Sequence, residues 1–188
     1  MIKSIVNCLD NSPIIAAIPN DRIGEDDIPS SVEVVFILSS NILTIEDRVN
    51  ALKKSGRKVF VHMDLIDGLG KDLVSVKYVN ERIKPHGIIS TRNNLLRYGK
   101  EVGLITVQRL FLIDSMSFVS GINMIKNYEP DFVEVMPGLI PRAIDELKRR
   151  ISQPIIAGGM VTQKSDIIQA LKAGAIAVST SNMGLWDL

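Results

Sequence analysis

Short β-branched runs alternate with amphipathic stretches along almost the whole chain, and this alternation constrains the fold more than any other feature. Eight runs read as strands: 13–19 (PIIAAIP), 32–40 (VEVVFILSS), 58–66 (KVFVHMDLI), 87–92 (GIISTR), 104–113 (LITVQRLFLI), 131–138 (DFVEVMPG), 154–161 (PIIAGGMV) and 175–182 (AIAVSTSN). Helical patterns over 45–55, 71–84, 93–102, 116–128, 141–151 and 163–173 lie between most of them. A strand, an amphipathic helix and a further strand make a parallel crossover rather than a hairpin. Repeated this evenly, the units predict an α/β fold of the closed (β/α)8, TIM-type class, because an open doubly wound sheet seldom repeats one unit so regularly. The whole chain, 1–188, is then one compact barrel domain. In the last helical pattern Ile167, Ile168, Ala170 and Leu171 share one face, with Thr162 as the expected N-cap and Gly174 as the stop.

At 188 residues the chain is short for a fold that usually takes about 250. The shortfall sits where the barrel closes. Between the first and second strands there is only a polar, broken stretch, NDRIGEDDIPS, and after the eighth only MGLWDL. The first and last crossover helices are therefore expected to be short or missing. The outer faces of the flanking strands then need cover, either from a second subunit, making a homodimer, or from Leu185, Trp186 and the loop.

Composition removes several function classes. With 22 basic against 21 acidic residues the net charge is +1, so bulk electrostatics favour neither a nucleic-acid binder nor a membrane-surface binder. The single Cys8 allows no intramolecular disulfide, and the opening MIKSIVNCLD has no signal-peptide apolar block, which points to the cytoplasm. No apolar run approaches the roughly 20 residues of a membrane helix. Two histidines and one cysteine make no metal-ligand spacing, so neither a metal nor another cofactor is expected.

In a barrel of this class the chemistry lies at the carboxyl ends of the strands, and the loops after the seventh and eighth often hold a phosphate. There the apolar run PIIA ends in Gly158 and Gly159 just before a helix start, a pattern that lets backbone N–H groups and the positive helix end approach an anion. Paired glycines also simply permit a tight strand exit. The adjacent strand end supplies Ser179, Thr180 and Ser181, whose hydroxyls and amides are candidates for the remaining phosphate oxygens. At other strand ends, His62 and Asp64 share one side by the period of two and are expected to face the barrel axis. Arg109 suits a bidentate grip on an anion, or a salt bridge to Asp64 or Glu134. Glu134 is an axial carboxylate or part of a polar layer with Gln108. A phosphomonoester seated on the last two loops would turn its far end toward His62, Asp64, Arg109 and Glu134. A Schiff-base aldolase lacks a nucleophile, since the only lysine near a strand end is Lys71 in a loop. A Glu134 and His62 acid–base pair for an isomerase or lyase acting on a phosphorylated three-carbon or sugar substrate stays open. No catalytic residue is assigned beyond it.

Taken in order, the segments HMDLIDGL (62–69), GIISTR (87–92), QRLFLIDS (108–115), PDFVEVMPG (130–138), PIIAGGMV (154–161) and ALKAGAIAVSTSN (170–182), followed by LW (185–186), resemble the glycerol-3-phosphate-responsive antiterminator family, the glycerol uptake operon antiterminator regulatory proteins. The family typically has leucine where Met136 stands, a change that keeps the apolar volume. The resemblance implies a non-enzymatic TIM barrel that binds glycerol 3-phosphate and acts on leader mRNA of glycerol genes, letting transcription pass a terminator. Two basic clusters, KKSGRK (53–58) and KRR (148–150), are candidates for RNA phosphates, with solvated helix ends as the plainer reading.

Overall fold

The computed structural model describes residues 2–188. Eight parallel strands close on themselves: β1 Ile14–Ile18, β2 Val34–Ile37, β3 Lys58–His62, β4 Gly87–Ser90, β5 Ile105–Phe111, β6 Phe132–Met136, β7 Ile155–Gly158 and β8 Ala177–Thr180. Each pairs with its neighbours in sequence, and β1 pairs with β8 to complete the ring. The expected barrel is the observed one.

Alternation along each strand divides the apolar residues into two cores. Ile15, Phe36, Phe60, Ile89, Val107, Phe132 and Ile156 fill the interior. Their sequence neighbours Ile14, Val35, Val61, Ile88, Val133 and Ile155 pack outward with the helices α2 Ile45–Lys54, α3 Leu73–Tyr78, α4 Asn93–Glu101, α5 Ser115–Tyr128, α6 Pro141–Lys148 and α7 Lys164–Lys172. The expected helix over 71–84 is α3 continued by a π turn, Val79–Ile83, and closed by Lys84 in the left-handed region at φ 53°. Helix α7 begins one residue later than expected. Gln163 is its N-cap, and the Asp166 carboxylate accepts from the amides of Thr162 at 3.0 Å and Gln163 at 3.1 Å.

One element was not foreseen. Helix α1, Ile2–Asn11, precedes β1 and carries Ile5, Cys8 and Leu9 into the interior core, so it plugs the amino-terminal end of the barrel. Their spacing of three and one places them on one helical stripe. Burial raises the Cys8 thiol to about 11, helped by nearby Glu33.

The first and last crossovers are reduced to single 3₁₀ turns, Glu25–Asp27 and Met183–Leu185, as the sequence leads one to expect. The chain covers its own seam. Trp186 is 1% exposed and packs with Leu185, Ile28 and Val32 in the core that holds the outward faces of β1 and β8. Its Nε1 donates to the Thr180 carbonyl at 2.8 Å, and Ser31 Oγ donates to Asp187 at 3.2 Å across the junction. An uncovered seam, the reason for expecting a second subunit there, is not present.

Candidate functional site

At the carboxyl end of the barrel the interior changes from apolar to polar. Parallel pairing sets Arg109 on β5 beside Glu134 on β6. The Arg109 Nε donates to Glu134 Oε2 at 2.6 Å, and Ser179 Oγ on β8 donates to Glu134 Oε1 at 2.6 Å. All three are buried, and both carboxylate oxygens are engaged. A buried carboxylate without such partners would cost several kcal/mol, so the triad is a unit. The other guanidinium N–H groups make no hydrogen bond to a described residue, and Arg109 lines a cleft of about 370 Å³.

That cleft joins the two predicted halves. One wall is the loop after β7, with Gly159, Met160 and Thr162; the other is the end of β8, with Ser179, Thr180, Ser181 and Asn182. Gly158 has a specific steric reason. A Cβ there would stand 2.4 Å from Ser179 Oγ and 2.7 Å from Glu134 Oε1, so glycine is what lets β7 pass the polar triad. Gly159 sits at φ +75°, and Met160 follows at φ +61° with its side chain in solvent. Two successive left-handed residues, the second not glycine, fold the loop over the cleft.

The hydroxyls divide more finely than the sequence suggests. Ser179 is committed to Glu134. Thr180 Oγ1 donates to the Val161 carbonyl at 3.0 Å and accepts from the Asn182 amide at 3.1 Å, so it ties the two walls together. Ser181 is exposed at the rim. Asn182, not singled out in the sequence, donates Nδ2 to the Thr162 carbonyl at 3.1 Å and caps the last 3₁₀ turn by accepting from the Gly184 amide. A side-chain amide one residue before MG at the end of a strand was the available signal.

The remaining predicted residues separate. His62 is buried at the top of β3 with Nδ1 unpartnered, 3.7 Å from Asp64 Oδ2. Burial, reinforced by the charge of Arg109 and opposed by Asp64, lowers its pKa to about 4, so the imidazole is neutral at pH 7. Asp64 does not follow His62 toward the axis. The strand ends at His62 and the chain turns through a 3₁₀ turn, Met63–Leu65, so the period of two no longer applies. Its carboxylate accepts from Ser90 Oγ, the Thr91 amide and Arg92 Nε at 2.8–3.0 Å and clasps the end of β4. Arg109 therefore pairs with Glu134 and not with Asp64. Gln108 is not in the axial layer either; it donates to Asn93 on α4 at 2.9 Å. Lys71 donates to the carbonyls of Met63 and Ile66. Among the described residues no group of three or more His, Cys, Asp or Glu is placed to hold a metal ion, and no helix is long and apolar enough to cross a membrane.

Comparison with known proteins adds an independent line. Residues 14–186 match the family model of the glycerol-3-phosphate responsive antiterminator. A protein of Escherichia coli K12, the uncharacterized YgcP, is 33% identical over 184 residues, covering 98% of this chain and 96% of its own length. A crystal structure of the glycerol uptake operon antiterminator regulatory protein of Listeria monocytogenes superposes with a TM-score of 0.88 at 32% identity, covering 94% of this chain and 96% of that one. A glycerol uptake operon antiterminator-related protein of Thermotoga maritima gives 0.84 at 32% identity, over 93% and 98%. Orotidine 5'-monophosphate decarboxylase of Sulfolobus solfataricus, at 15% identity and a TM-score of 0.67, shares the barrel fold alone.

Proposed function

This chain belongs to the glycerol-3-phosphate responsive antiterminator family, and from that premise we propose that it is a regulator whose barrel mouth binds glycerol 3-phosphate. So loaded, it acts on leader mRNA of glycerol genes and lets transcription pass a terminator. The observation that carries the ligand half is the cleft in which the loop of Gly159 and Met160 faces Ser181 and Asn182 above the part-engaged guanidinium of Arg109. A phosphomonoester there meets loop backbone and a rim hydroxyl at its phosphate end and a buried cation at the other. Arg109 and Glu134 face the glycerol end, with neutral His62 beside Arg109. Asp64 serves β4 and is left out of the ligand shell.

Glu134 also bears on the enzymatic alternative, an isomerase or lyase. Its two oxygens already accept from Arg109 and from Ser179. A carboxylate held this way serves better as a fixed acceptor than as a mobile base. The RNA half rests on the family. Of the two basic clusters, Arg57 is buried and donates to the Ile28 and Pro29 carbonyls, while Arg149 and Arg150 pair with Asp145 and Glu146 on their own helix. In each cluster the arginines are thereby engaged within the chain.

Calorimetric titration with glycerol 3-phosphate, inorganic phosphate and glycerol tests the first half, with glycerol 3-phosphate expected to bind tightest. Electrophoretic mobility of a glycerol-gene leader transcript, with and without that ligand, tests the second. Recovery of the ligand unchanged after prolonged incubation supports the regulator. Consumption of a triose or polyol phosphate, abolished in Glu134→Gln, would establish the enzyme instead.

A further inference from the structure

We infer that the chain self-associates through the face formed by the start of α5 and the loop after β6, as a two-fold dimer. Along this face Ile113 is 85% and Met116 78% exposed, Val119 is half exposed, and Leu139 and Ile140 show more than a third of their surface. A groove of about 440 Å³ between α5 and α6 is lined by Ile113, Phe118, Val119, Ile140 and Ala143. The aliphatic side chains of the face are somewhat smaller than aromatic ones of roughly 150–250 Å², so the exposed parts amount to an apolar patch on the order of 500 Å². That is the upper end of what a monomer shows in one patch and most of the roughly 800 Å² that a partner covers in a standard interface.

Shape and charge choose a second copy as the occupant. An isologous interface needs protrusion and recess on the same surface, and here exposed Met116 follows directly on the Ile113–Ser115 segment that lines the groove such a side chain would fill. The charges in the patch are settled within the chain. Glu146 and Arg150 pair at 2.6 Å, and Asp114 turns back to accept from the Ser117 amide at 2.7 Å. Burial against a like surface strands no ion, whereas a polyanion would find no free cation in the groove. The face is separate from the β1–β8 seam that the sequence had suggested.

Sedimentation of the full chain from about 1 to 100 µM, the range in which an interface of this size declares itself, tests the inference. The expected result is a dimer whose dissociation constant rises about thirtyfold or more in Ile113→Glu and in Met116→Glu. Val74→Glu, an equally exposed apolar position on α3, leaves it unchanged. All three sites lie in solvent in the isolated chain, so unchanged circular dichroism melts verify the fold. A wild-type monomer throughout this range overturns the inference, as does a dimer indifferent to both patch variants. A monomer whose Met116→Glu variant loses leader-RNA affinity would overturn it too and assign the patch to RNA.

Discussion

The polar layer at the barrel mouth depends on the absence of one carbon atom. At Gly158 an added methyl would press on both Ser179 Oγ and Glu134 Oε1, which belong to strands on either side and cannot retreat without breaking their hydrogen bond. Gly158→Ala is expected to cost about 1–3 kcal/mol, a fall in Tm on the order of 3–10 °C, and to abolish glycerol 3-phosphate binding. Calorimetry below the lowered Tm checks the second effect apart from the first. Titration adds a residue-scale signature. His62 and His86 both have pKa values lowered to about 4 from an ordinary 6.5, each chiefly by burial; His86 Nδ1 accepts from the Val59 amide at 3.0 Å. Above pH 6.5 both are neutral whether the chain is folded or not. Below it the unfolded chain takes up protons that the folded chain refuses, so stability falls as pH drops from 6.5 toward 4 and levels once the folded state also protonates. Tm at pH 5.0 should lie below that at pH 7.5, and His62→Gln should shrink the difference; an unchanged difference would mean that His62 is not buried neutral.

At the scale of elements, the two walls of the cleft are one hydrogen-bonded assembly. Thr180 holds the Val161 carbonyl, Asn182 holds the Thr162 carbonyl, and Trp186 holds the carbonyl of Thr180. By these bonds the cleft walls are tied to the segment that seals the seam, and binding in the cleft is expected to depend on that seal. Trp186→Ala should cost about 3–5 kcal/mol by urea unfolding and weaken glycerol 3-phosphate binding as well, although the indole lies outside the cleft. Loss of stability with full affinity would show that the seal and the site are independent. Much of this was legible in the sequence, because strand alternation and helical stripes are direct images of the two cores, and the glycine pair and the hydroxyl run lie at adjacent strand ends. What was hidden depends on where a regular element stops. Asp64 escapes the alternation because β3 ends two residues earlier. Nor does the sequence show that Val161 and Asn182 engage the Thr180 hydroxyl. Helix α1 is not legible in strand patterns, because its three core residues point into a barrel that those patterns alone do not show to be open below.

The whole molecule has two unlike ends, and α1 is the reason. A barrel of eight strands has its interior filled by side chains in layers. Here the upper layer is polar and open to the cleft, while the lower layers rest on Ile5, Cys8 and Leu9. The ends are separated by the interior phenylalanines and isoleucines, so stability and binding should respond to them separately. Leu9→Ala leaves a void beneath the interior core and is expected to cost about 2–5 kcal/mol, read as a lower urea midpoint at unchanged slope. Glycerol 3-phosphate affinity of the folded protein should stay within twofold, because Arg109, Glu134 and Ser179 form their hydrogen bonds without help from α1. Ligand added in excess should then restore part of the lost midpoint in proportion to the logarithm of its concentration. If instead Leu9→Ala weakened binding as strongly as it weakened the fold, the interior would have to be a single mechanical column from plug to mouth, and α1 would be part of the ligand response.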